Sequence, residues 1–79
     1  MKAMFKVVIL APQRTIFEGE AKSVFLPGDT GEFEILEFHK PVISLLKEGL
    51  IIIDRENSLA ISRGIARMRN NELVVLVER

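Results

Sequence analysis

The chain has 79 residues, enough for one small domain near the lower limit of what folds without disulfides or metals. Its 11 Lys and Arg balance 11 Asp and Glu, so it lacks the basic excess that phosphate binding needs, which argues against nucleic acid. It has no cysteine, which excludes disulfides and thiolate metal sites, and its longest apolar run, Val7 to Pro12, is far short of the ~20 residues that cross a bilayer.

At 48% hydrophobic residues the chain can build a core. No linker, low-complexity tract or internal repeat divides it, so residues 1–79 read as one domain. Short runs rich in Val, Ile and Phe recur between turn signals, the pattern of an all-β sandwich or barrel. In chain order the expected strands are Phe5–Ala11, Arg14–Glu18, Glu20–Leu26, Glu32–Leu36, Val42–Leu46, Leu50–Arg55, Leu59–Arg63, Ile65–Arg69 and Glu72–Glu78. Pro12 has no donor for a ladder and should end the first. Pro27-Gly28-Asp29-Thr30-Gly31 is a dense turn, with glycines free to take positive φ. Lys40–Glu48 could be read as a helix, but Pro41, β-branched Val42 and Ile43 and its short length favour a strand. Glu56-Asn57 and Asn70-Asn71 mark two hairpin turns, since Asn tolerates the left-handed conformation.

Leu50-Ile51-Ile52-Ile53 and Leu73-Val74-Val75-Leu76-Val77 do not alternate polar with apolar. A small sandwich has one inside, so about half of these side chains must point out. Either loops or barrel closure cover them, or a partner does.

Parts for catalysis are few. His39 is the one histidine, and there is no phosphate loop or dinucleotide fingerprint. Asp29, Glu32 and His39 could gather around the turn as an acid–base site, but no nucleophile or cofactor motif accompanies them. The pairs Glu18/Glu20 and Glu32/Glu34 read as solvated strand charges. The expectation is a non-enzyme with no cofactor and no metal.

Three segments carry a family resemblance: Ile16 to Gly28 with Gly31-Glu32-Phe33, His39 to Gly49, and Ser62, Gly64 with Asn71 to Leu76. Over Phe5 to Glu78 the chain resembles the N-terminal domain of the epsilon subunit of F-type ATP synthases. The resemblance implies a two-layer antiparallel β-sandwich, a flattened barrel of about ten short strands in two five-stranded sheets. It also implies a non-catalytic rotor part of the central stalk that links the gamma subunit to the membrane c-ring. The c-ring contact would be Gly28, Asp29, Thr30, Gly31 and Glu32; the gamma contact would be Phe38, His39, Pro41, Ile52 and Val74. Taken alone, Glu32 is equally an ordinary turn carboxylate and His39 a loop histidine packed for shape. Such a subunit would sit peripherally on the cytoplasmic side of the cell membrane, meeting the membrane only through the complex. Alternatives that the residues leave open are a stand-alone interaction module, self-associating through the same strands, and a barrel that binds an apolar ligand.

The chain also departs from the family. Glu34 to His39 lacks two glycines and a proline common there, so that bend must be made differently, and Arg63 and Arg67 replace a glycine and a commonly acidic residue. The family's C-terminal helical hairpin lies beyond Arg79, so a molecule of this extent should show neither hairpin-dependent inhibition nor a hairpin ATP site.

Overall fold

A computed structural model describes residues 4–79. Nine strands run through them: β1 (Phe5–Ala11), β2 (Arg14–Ala21), β3 (Ser23–Gly28), β4 (Gly31–Leu36), β5 (Val42–Leu46), β6 (Gly49–Ile53), β7 (Asn57–Ile61), β8 (Arg63–Arg69) and β9 (Glu72–Glu78). The all-β expectation holds, with differences in detail. The strands form one hydrogen-bonded path, β2-β1-β9-β8-β5-β3-β6-β7, with β4 on the free side of β3. This path curls into a first layer of β2, β1, β9, β8 and β5 and a second of β4, β3, β6 and β7, nine strands where the resemblance implied about ten.

The layers meet at a corner where β5, paired along β8, touches the tip of β3 through Gly28 and Leu46. Two backbone bonds lock it: Asp29 N–H donates to the Leu45 carbonyl and Lys47 N–H to the Pro27 carbonyl, both at 2.9 Å. One pair is not antiparallel. β1 and β9 run parallel, Lys6 beside Glu72 through Leu10 beside Leu76. Hairpin logic yields only antiparallel neighbours, whereas closing the first strand on the last is a non-local pairing.

Alternation then sorts the chain. Phe5, Val7 and Ile9 of β1, Leu73, Val75 and Val77 of β9, and Ala66 and Met68 of β8 point inward. From the second layer come Val24, Leu26, Ile35, Ile51, Ile53 and Ile61, and all belong to one buried cluster. At β2 a bulge between Ile9 and Leu10 leaves Ile16 unpaired, so that Ile16 and Phe17, adjacent in sequence, both pack on the core.

The turns follow local chemistry where it is strong. Asn70 and Asn71 hold φ of 53° and 59°, as a mirror-image two-residue turn requires. The β6–β7 turn falls earlier than Glu56-Asn57 suggests: Asp54 and Arg55 take positive φ and Asn57 starts β7. A tertiary contact decides it, because the Asp54 carboxylate accepts from the N–H groups of Lys22 (2.6 Å) and Ser23 (3.1 Å).

Gly64 of β8 is packed too closely for a side chain, since a Cβ there would meet the Leu76 carbonyl oxygen at 2.5 Å. Gly64→Ala should therefore destabilise the domain by about 1–3 kcal/mol, from strain in a packed sheet. Urea unfolding measures this, and an unchanged midpoint would mean that β8 and β9 separate freely.

Candidate functional site

Every strand of the first layer has a second face, and its composition follows from register. On β1, β9, β8 and β5 the outward residues fall into rows across the sheet. Leu10 pairs with Leu76, Leu76 with Ile65 and Ile65 with Leu45, an unbroken apolar row over four strands. The next row runs Val8, Val74, Arg67, Ile43. Leu76, Ile65, Leu45 and Ile43 are 52%, 41%, 59% and 73% exposed, so nothing within the described chain covers them. A shallow groove of about 950 Å³ lies along Leu10, Leu76, Ile65 and Leu45. Arg14, Thr15, Asp29, Arg63 and Glu78 edge it with polar groups, and an Arg63–Glu78 pair at 3.0 Å closes one side. Large adjoining aliphatics with a polar rim are the anatomy of a protein interface.

The residues that the resemblance singles out do not form one cluster. Gly28, Asp29, Thr30, Gly31 and Glu32 make the β3–β4 turn at the corner end. Gly28 is buried and faces Gly31, whose φ of +142° suits glycine; Asp29, Thr30 and Glu32 are exposed. Asp29 borders the groove next to Leu45. Phe38, His39 and Pro41 lie in the β4–β5 loop, at the other end of the same strands. Val74 belongs to the outward face of the first layer. Ile52 lies on the outward side of the second, beside Phe25, over which the Arg55 guanidinium sits 5.8 Å from the ring centre. A single flat partner meets Val74 or Ile52, not both.

An Asp29, Glu32 and His39 acid–base site does not assemble. A β-strand of six residues, roughly 17 Å at 3.3 Å per residue, separates the β3–β4 turn from the histidine loop. His39 Nδ1 lies 2.7 Å from the Lys40 carbonyl oxygen, a local bond. Among the described residues no three acidic or histidine side chains gather as a metal site.

The bend before His39 is made without the family's glycines. Phe38 takes φ of 59°, which is strained for a bulky residue, and is 75% exposed. Asn71 stabilises it: its Oδ1 accepts from the Phe38 N–H at 2.8 Å while its Nδ2 donates to the Met4 carbonyl at 3.2 Å. One side chain thus ties together the β4–β5 loop, the β8–β9 turn and the start of β1.

Residues 4–79 match the sequence profile of the family described as ATP synthase, Delta/Epsilon chain, beta-sandwich domain. The chain belongs to that family. Among curated relatives, the ATP synthase epsilon chain of Sulfurimonas denitrificans is 42% identical over 77 residues, covering 92% of this chain and 59% of the relative. That of Helicobacter pylori is 38% identical over 79 residues, covering 96% of this chain and 64% of the relative. The chain therefore spans about three-fifths of the length of these epsilon chains. The fold recurs in mitochondrial ATP synthase structures at low identity. A chain in the Euglena gracilis OSCP/F1/c-ring structure superposes with a TM-score of 0.90 at 15% identity, over 100% of this chain and 53% of that one. One from the Tetrahymena thermophila central stalk/c-ring structure gives 0.79 at 12%, over 94% and 63%.

Sequence reasoning named Val74 from this face but missed Leu10, Ile43, Leu45, Ile65 and Leu76. Leu76 lay within the unbroken apolar run, which was the available signal. The others join it only through cross-strand register.

Asn71→Ala should cost about 1–3 kcal/mol, from two lost hydrogen bonds and an unfavourable positive φ, whereas Asn71→Gly should lose only the side-chain part. Urea unfolding of both variants separates the contributions; equal losses would assign the whole effect to the side chain.

Proposed function

We propose that this domain is a non-catalytic part of the ATP synthase central stalk, on the cytoplasmic side of the membrane, and couples ion translocation to ATP synthesis by joining the gamma subunit to the c-ring. The row Leu10–Leu76–Ile65–Leu45 carries the reading: four aliphatic side chains adjacent through register, Leu10 half-buried and the other three exposed, call for a protein surface to cover them. In this reading gamma lies on the outward face of β1, β9, β8 and β5, where Val74 contributes and Phe38, His39 and Pro41 extend the contact at one end. Family membership and the epsilon-chain names of the relatives support it. Burial of about 800 Å² per partner, the standard size, is expected.

The β3–β4 turn is the polar end of the same body. Asp29, Thr30 and Glu32 project from it, and the exposed turn suits contact with polar loops of the c-ring. Asp29 is bonded through its backbone to Leu45, which lies in the apolar row, so ring contact and gamma contact sit on one hydrogen-bonded strand junction. A close-packed core resists shear between them, which is what a torque-bearing joint requires. Apolar contacts supply affinity, and polar contacts supply register.

Leu76→Asp should weaken binding of the full subunit to its gamma partner by about 10- to 100-fold, the loss of one buried leucine, with circular dichroism unchanged. Ile52→Asp tests the opposite layer in parallel. Isothermal titration decides between them: loss of binding with Ile52→Asp alone would move the gamma surface to the second layer. Self-association of the wild type in sedimentation, without gamma binding, would instead assign the row to a second copy.

Glu32→Gln should loosen coupling at the ring while leaving gamma binding intact. ATP-driven ion pumping by reconstituted holoenzyme reads this out, and unchanged pumping with unchanged assembly would remove Glu32 from the contact.

A further inference from the structure

The docking face contains one charge that its apolar row does not explain. Arg67 is exposed on β8, flanked across the sheet by Val74 and Ile43 and followed along the strand by Arg69. Toward the groove its outward neighbour on β8 is Ile65. Of the other cations on this face, Lys6 and Arg63 each form an ion pair, while Arg69, one row nearer its end, faces Glu72 across the strands without one. Arg63 pairs with Glu78 at 3.0 Å. Glu72 stands directly opposite Arg69 and lies 3.9 Å from Lys6. Glu18 is at the far side of the layer, opposite Val8 on the edge strand β2, with β9 still between it and β8. Arg67 takes part in no ion pair among the described residues.

A guanidinium cannot shed its charge at any physiological pH. An apolar surface laid over Leu76, Ile65 and Ile43 would also strip water from Arg67, and an unpaired charge taken out of water opposes binding more than a neighbouring aliphatic favours it. Across the sheet Val74 and Ile43 flank it on the same face, and along the strand away from Ile65 its next outward neighbour is Arg69, a like charge. Its planar fork suits a carboxylate held by two parallel hydrogen bonds.

We infer that the partner surface covering this face presents an Asp or Glu carboxylate to Arg67, next to an apolar patch that meets Leu76, Ile65 and Ile43, and that this pair sets which partner is accepted. The inference rests on the docking reading above and adds the chemistry of the other side. It makes Arg67 a specificity determinant: a partner with Lys or Arg at that place would be rejected, because like charges would be brought together in a desolvated contact.

The test uses the full subunit and the gamma subunit of the same enzyme, titrated against each other, with Arg67→Glu, Arg67→Gln and Ile65→Asp variants. Arg67 is exposed, so its variants should keep the wild-type melting temperature. Arg67→Glu should weaken binding by at least ~30-fold, the lower range for one half of a buried ion pair, and Arg67→Gln should weaken it less. Changing the gamma carboxylates to Lys one at a time should reveal one position that restores binding to Arg67→Glu and harms binding to the wild type. If Ile65→Asp abolishes binding while Arg67→Glu loses no more than about fivefold, as for an exposed pair, the inference falls and the docking reading stands. If both variants bind as the wild type does, the docking face itself is wrong and the inference goes with it.

Discussion

A β-strand has two faces, and a small sandwich can hide only one of them. The rest of this structure follows from that constraint, because β1, β8 and β9 carry aliphatic side chains on both. Their inward sets, such as Phe5, Val7 and Ile9 or Leu73, Val75 and Val77, complete the core. Their outward sets have no place left inside. Leaving a large aliphatic in water forgoes roughly 1.5–3 kcal/mol of burial, so an adjoining row of them is a standing gain for any surface shaped to cover it.

The row exists only because of how the strands are ordered. Leu10 and Leu76 are distant in sequence and become neighbours through the parallel pairing of the first strand with the last. Ile65 and Leu45 join through the antiparallel ladders of β8 with β9 and β5. Strand β5 then links the row to the β3–β4 turn through the Asp29 to Leu45 backbone bond, and its other end leads back to the strained Phe38 loop. One short strand thus connects all three regions on which the proposed contacts depend.

Polar detail is used sparingly. Asn71 and Asp54, both at positive φ, each serve as a bridge, satisfying donors from distant segments and fixing where turns fall. No buried side-chain nitrogen or oxygen lacks a hydrogen-bond partner among the described residues. Ser23 is the one buried polar residue among those described, and the charged side chains stay out of the core.

The sequence by itself determined the all-β class, the family and most strand locations, because alternation, Pro12, the Gly28–Gly31 turn and the Asn70-Asn71 hairpin are local signals read within a few residues. It also foretold that aliphatics in Leu50–Ile53 and Leu73–Val77 must point outward, which is a matter of counting faces. Which outward side chains adjoin was decided by tertiary structure alone. Register and strand order are set by pairings between segments far apart in the chain. The placement of the β6–β7 turn was decided the same way, by an Asp54 carboxylate that reaches Lys22 and Ser23 on another strand.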